Sequence, residues 1–232
     1  MNSRSTQLAS DSDSPSTVPV FTWDTERVGT LLPAGWQQKL IDVAKNFATE
    51  RVLVPPHSTS REDSTVSSLP VHGVGGRIVQ RELPWLIDLY AGDFRERGER
   101  LRGEPLTTAV DPRYAVVLNV QLPGERYECH VDTNPVEGLL YATSHPKGHG
   151  GELAVAKNTN ATGKAKIDAA CHELHPMEGD LVFFDGRHHP HYVRPLLKGE
   201  IRVAVAMNYY TGSVPESTRP DDLNDYLYGT GA

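Results

Sequence analysis

Between Pro33 and the Pro55-Pro56 pair, apolar residues recur at three- and four-residue steps: Trp36, Leu40, Val43, Ala44 and Phe47. That spacing gathers them on one side of an amphipathic helix. A second stripe, Leu86, Leu89, Tyr90 and Phe94, predicts a helix from about Glu82 through Arg100, with Pro84 tolerated in its first turn. Its Arg- and Glu-rich end reads as a solvated outer face. The stretch from His57 to Gly76 is rich in Ser, Thr and Gly and has no period. At that length it is expected to be mobile or functional, a lid over a site being one form.

From Tyr114 the pattern changes to period two and short apolar runs. Ala115 to Val120 is rich in β-branched residues and ends just before Pro123-Gly124, which predicts a strand and a turn. Further strands are expected at Tyr127 to Asp132, Gly138 to Thr143, Glu152 to Ala156, Asp180 to Phe184, His191 to Pro195 and Ile201 to Tyr210. Gly- and Pro-bearing turns separate them. Short strands at such intervals after two helices predict a mainly β chain with helical additions (α+β). Its core would be a double-stranded β-helix (jelly roll) packed against the N-terminal helices. Residues 1–18, crowded with Ser, Thr, Asp and Pro, cannot bury enough apolar surface to offset ordering entropy and are expected to form a disordered tail. Residues 19–232 then form a single domain, with a helical part over 33–103, a jelly-roll core over 104–212 and a C-terminal extension over 213–232.

The formal charge of −7 argues against a nucleic-acid partner, which would favour a basic groove or stripe. Two cysteines, Cys129 and Cys171, do not make a disulfide framework. With a polar start and no apolar stretch of membrane-spanning length, the chain reads as soluble and cytoplasmic, with no membrane association. Oligomeric state is not legible.

His130 and Asp132 stand two apart, so on an extended segment both side chains reach one face and one ion. In a chain with 10 histidines and 30 acidic residues, about one His-x-acidic pair arises by chance, and a surface His beside a turn Asp looks the same. Arg202, Ala204, Ala206 and Asn208 would share one face of the last strand, leaving room beyond the Arg for a bound molecule. Its guanidinium fork suits a carboxylate in a way that a Lys would not. Cys129 should point away from His130, and Cys171, His172 and His175 lack the paired spacing of structural zinc sites, so both cysteines read as packing residues. His145 and His149 straddle a Pro/Gly turn and read as loop decoration.

An ordered set of motifs ties these residues together. It runs Arg126-Tyr127-Glu128-Cys129-His130-Val131-Asp132-Thr133-Asn134-Pro135, Gly150-Gly151-Glu152-Leu153, Gly179 to Phe184, His191-Tyr192-Val193-Arg194-Pro195, and Gly199-Glu200-Ile201-Arg202. The set resembles the prolyl-hydroxylase-like branch of the 2-oxoglutarate and Fe(II)-dependent dioxygenases over residues 114–210. The resemblance implies that His130, Asp132 and His191 are the metal ligands, a two-His, one-carboxylate set with open positions. His191, rather than the neighbouring His188 or His189, directly precedes the Tyr-Val-x-Pro run of the family's distal-ligand strand. Arg202 becomes the anchor of the cosubstrate's far carboxylate. Where the family often has a Tyr before a Pro-Gly turn, this chain has Gln121, whose amide could donate instead; Tyr141 and Thr143 on the next strand are the other candidates.

The implied cofactors are Fe(II), 2-oxoglutarate and O2, with ascorbate as reductant in an assay. The implied reaction decarboxylates 2-oxoglutarate to succinate and hydroxylates an unactivated C–H bond, with desaturation or cyclisation as variants; retention of Asp132 favours these over halogenation. A small molecule, amino-acid-like or a natural-product intermediate, is the expected substrate. Arg77, Arg81, Trp85 and His189 are candidate pocket residues; the first three would share a face on a helix extended back to Arg77. A peptidyl-prolyl or other protein substrate is the nearest alternative, and a cupin-like metalloenzyme without 2-oxoglutarate is another.

Overall fold

The computed structural model describes residues 20–229. The tail expected over 1–18 lies outside the described residues. The chain runs β1 (Trp23–Arg27), α1 (Trp36–Phe47), β2 (Thr49–Leu53), β3 (Leu69–Val74), α2 (Gly76–Glu82), α3 (Pro84–Ala91), α4 (Asp93–Arg102) and β4 (Leu106–Thr108). It continues through α5 (Pro112–Ala115), β5 (Val116–Gln121), β6 (Val136–Tyr141), β7 (Leu153–Ala156), α6 (Gly163–Ala169), β8 (Cys171–Leu174), β9 (Asp180–Phe184), β10 (His191–Val193), β11 (Arg202–Thr211) and α7 (Leu223–Tyr228).

The single helix expected from Glu82 to Arg100 is instead split between α3 and α4, and α2 precedes them. Pro84 has no N–H to continue a helix and restricts Leu83, which sits at φ −131°, ψ 53° between α2 and α3. Gly92, at φ −110°, ψ −106°, separates α3 from α4. The stretch from His57 to Gly76 is likewise not one long loop: β3 forms inside it and pairs with β2 on one side and β5 on the other. Tyr127 to Asp132 forms no regular strand and makes only single bridges from His130 to Ser60 and to His191.

An eight-stranded antiparallel sheet has the order β1-β9-β6-β11-β5-β3-β2, with β4 pairing the end of β11. A three-stranded sheet, β10-β7-β8, completes the jelly roll. β11 lies at the centre because its residues alternate cleanly between two apolar environments. Val203, Val205, Met207 and Tyr209 join Leu40, Leu86, Phe94 and Leu118 in the core under the helices. Ala204 and Ala206 turn the other way and meet Tyr141, Leu153, Val155 and Val182 between the sheets. Each of these buried Leu or Val side chains contributes about 1.5–3 kcal/mol. The small alanines on the inner face keep space open beside them.

Candidate metal and cosubstrate site

His130 and His191 meet through their backbones, each N–H donating to the other's carbonyl at 2.9 Å. Asp132 is held by its own N–H, which donates to Gly186 O at 3.2 Å. A side chain at Gly186 would not fit, since its Cβ would lie 2.0 Å from Asp132 Oδ2 and 2.7 Å from His191 Cε1. These pairings bring one donor atom from each of His130, Asp132 and His191 within 4.8 Å of one another.

Backbone carbonyls choose the tautomers. His130 Nδ1 donates to Glu128 O at 2.7 Å and His191 Nδ1 donates to His189 O at 2.9 Å. Each ring therefore turns Nε2 inward, the atom that a metal-ligating imidazole would use once a cation displaced any proton on it. The two Nε2 atoms stand 3.6 and 3.5 Å from Asp132 Oδ1. That is too long for hydrogen bonds. It fits donors that surround one ion at about 2.1 Å each. Asp132 Oδ2 is buried without a hydrogen-bond partner. Burial opposes charge on both kinds of group, but His191 and His130 hold the Asp132 carboxyl well below the usual carboxylate range, and Asp132 pushes His130 up to about 9. The centre thus draws positive charge into itself, and a divalent cation would supply it.

Arg202 lies at the start of β11 opposite Gln121 on β5. Its side chain is 1% exposed, and Nε and Nη1 have no hydrogen-bond partner among the described residues. Burial lowers its pKa from the ordinary arginine value. Its Cζ stands 5.5 Å from the centroid of the Tyr141 ring. The Tyr141 hydroxyl and Gln121 Oε1 are also buried and unpartnered. Gly151, at φ +74°, passes close enough that a Cβ there would lie 2.9 Å from Arg202 Cδ. This explains the second glycine of the Gly150-Gly151 motif on contact grounds as well as conformation. A buried guanidinium without a counter-ion is costly, and a dianionic ligand would neutralise it.

Gln121 is not able to donate as expected, because its Nε2 already donates to Glu125 O and Arg194 O. Thr143 Oγ1 accepts from Val203 N and contacts His145 Nε2, both at 3.0 Å. His145 is no loop ornament: it is 3% exposed, and burial together with nearby Arg202 lowers its pKa. Its spacing of two from Thr143 and four from Tyr141 carried the signal for a shared face.

The four candidate pocket residues lie away from the cavity beside the metal ligands. Arg77 and Arg81 are exposed on α2, with Arg81 over the Phe47 ring and paired to Glu82, while Trp85 sits on a different helix. His189 is buried with Nδ1 3.1 Å from Ala156 O and its ring against Phe21. None of the four lines the cavity beside His130 and Asp132. That cavity, of about 170 Å³, is walled by Thr59, Val71 and His72 from the segment before the helices, by Ala206 and Asn208 from β11, and by the C-terminal segment. The C-terminal residues Arg219, Leu223, Leu227 and Tyr228 gave no sequence signal, because they reach the site only through the fold.

The two face-to-face sheets with an inward His/Asp/His cluster and a buried arginine define a jelly-roll oxygenase architecture. Residues 114–210 match the model of the 2OG-Fe(II) oxygenase superfamily. The chain carries a domain of that superfamily and is a 2-oxoglutarate-dependent oxygenase, for which Fe(II), 2-oxoglutarate and O2 are the implied cofactors.

No curated protein matches the chain by sequence. Among solved structures, the fold is similar to the non-haem α-ketoglutarate-dependent epimerase SnoN from nogalamycin biosynthesis (TM-score 0.57, 17% identity, 90% of this chain and 86% of that one). It is similar to a 2OG-Fe(II) oxygenase family oxidoreductase from Burkholderia pseudomallei (TM-score 0.56, 12% identity, 81% and 84%). HygX from Streptomyces hygroscopicus, solved with nickel and 2-oxoglutarate bound, is similar as well (TM-score 0.54, 10% identity, 83% and 84%). No helix among the described residues is long and apolar enough to cross a membrane.

Proposed function

We propose that the protein holds Fe(II) through His130 Nε2, the Asp132 carboxylate and His191 Nε2, anchors 2-oxoglutarate on Arg202, and hydroxylates a C–H bond of a small molecule. The observation that carries this reading is the pair of inward Nε2 atoms facing Asp132, set in the same fold as a buried Arg202 that lacks a counter-ion. When bound, iron and cosubstrate supply the oxidising chemistry, with decarboxylation of 2-oxoglutarate to succinate.

The chain's own residues do the rest. The Glu128 and His189 carbonyls keep both imidazoles in the ligating tautomer. Arg202 would receive the far carboxylate, and the Tyr141 hydroxyl, buried without a hydrogen-bond partner, would donate to the same group. Thr143 orients His145 alongside. The apolar walls around Ala204 and Ala206 exclude water from the reacting centre. A cavity of only about 170 Å³ favours a small substrate over a protein segment, and SnoN and HygX offer parallels for small-molecule chemistry and for the metal–cosubstrate pair.

Asp132→Ala and His191→Ala should each lower Fe(II) affinity by at least about tenfold, the scale of losing one ligand. Both should abolish succinate formation in assays with Fe(II), 2-oxoglutarate and ascorbate. Anaerobic titration of wild type with Fe(II) and 2-oxoglutarate should develop a visible charge-transfer band. Absence of metal-dependent 2-oxoglutarate binding would refute the assignment.

A further inference from the structure

Two guanidiniums line the cavity beside His130 and Asp132 with no carboxylate within ion-pair distance among the described residues. They are Arg51 on β2 and Arg219 just before α7. Arg219 is positioned by neutral groups alone. Its Nε and Nη2 donate to Asn224 Oδ1 at 3.2 and 2.8 Å, its Nη1 donates to Thr133 Oγ1 at 3.2 Å, and its Cζ lies 3.9 Å over the Tyr114 ring. A guanidinium carries five N–H donors. Those contacts engage three of them and leave the rest for a ligand. Because Thr133 follows Asp132, the cation stands one side chain away from the proposed iron ligand.

The acids that line the same cavity are engaged elsewhere. Glu128 accepts from the Tyr226 hydroxyl at 2.6 Å. Glu137 accepts from Asn134 Nδ2 at 2.9 Å. Asp132 faces the two imidazoles. Arg219 and Arg51 therefore stand on the cavity wall with no carboxylate paired to either among the described residues. Leu53, Val71, Val117, Leu223 and Leu227 form an apolar part of the wall, beside polar Thr59, His72, Asn119 and Asn208.

We propose that the primary substrate is a carboxylic acid with an apolar body, its carboxylate held by Arg219 with Arg51 as the second cation and its oxidised carbon directed towards His130 and Asp132. This rests on the iron-site reading above and adds the substrate class. A guanidinium fork pairs with a planar carboxylate through parallel N–H···O bonds, and the apolar wall takes the hydrocarbon part. This substrate anchor is separate from Arg202, which belongs to the cosubstrate. It also lies outside residues 114–210, in segments that precede and follow the matched domain.

The test is a panel of linear, branched and aryl-bearing monocarboxylic acids, each paired with its primary amide. Wild-type protein loaded with Fe(II) and 2-oxoglutarate is screened for stimulated succinate release. Binding of the same compounds to metal-free protein is followed by calorimetry. At least one acid should outperform its amide by about tenfold or more in both readouts, the scale of a charge-assisted contact. Arg219→Gln should erase that preference, with melting curves used to check that the variant is folded. If acids and amides behave alike in a wild-type protein that does bind 2-oxoglutarate with Fe(II), this inference is wrong and the iron-site reading stands. The wild-type comparison decides the matter even if the variant fails to fold. If wild type shows no Fe(II)-dependent 2-oxoglutarate binding, the iron-site reading itself has failed.

Discussion

Arg202 brings a full charge to a place where water and counter-ions are scarce, and its cost is borne by the ligand-free protein. Replacing a buried ionic group with a well-packed apolar one is often stabilising. Arg202→Met should therefore raise the stability of ligand-free protein by about 1–3 kcal/mol in urea unfolding while removing 2-oxoglutarate binding. A loss of stability instead would show that the guanidinium is satisfied in the empty protein. The residues that were legible in the sequence are those that two-residue spacing explains: His130 with Asp132, and Arg202 with Ala204 and Ala206. Arg219 was not legible, because nothing local distinguishes it and its partner Thr133 is 86 positions away. His145 was within reach, but the Pro and Gly after it suggested a loop and concealed its place beside Thr143.

At the scale of elements, the segment before the helices does more than connect. Glu62 is 1% exposed at its side chain and accepts from Arg126 Nη1 at 2.6 Å, Arg126 Nη2 at 3.1 Å and the Cys129 N–H at 2.7 Å. Thr59 O accepts from Val131 N at 3.0 Å, so this stretch clamps His130's segment from both sides. Glu62→Gln leaves Arg126 buried without its counter-charge. It should cost about 3 kcal/mol in urea unfolding and weaken Fe(II) binding as the His130 segment loosens. Unchanged unfolding would mean that the clamp contributes little. The strands built from alternating apolar residues, β5, β9 and β11, were readable to within a residue or two. β1 and β2 were not, because Trp23–Arg27 and Thr49–Leu53 are largely exposed edges dominated by charged and polar residues. β3 contains Pro70 and Gly73, poor local strand formers that take their conformation from β2 and β5.

For the molecule as a whole, ligands that bind only the folded state add their binding free energy to its stability. Ni(II), which does not support turnover, together with 2-oxoglutarate should raise the melting temperature, and 2-oxoglutarate without metal should do so much less. At a hundredfold excess over Kd the gain is about 2.7 kcal/mol. Equal shifts with and without metal would separate the cosubstrate from the His/Asp/His centre. The cavity combines a metal-facing side from residues 114–210 with walls from outside that span, including Arg51 and His72 before it and Arg219 and Leu227 after it. Both arginines of the proposed substrate anchor therefore lie outside the stretch that carries the metal ligands. Grafting the flanks of another oxygenase of this architecture onto the central portion should exchange what is accepted and preserve how it is oxidised.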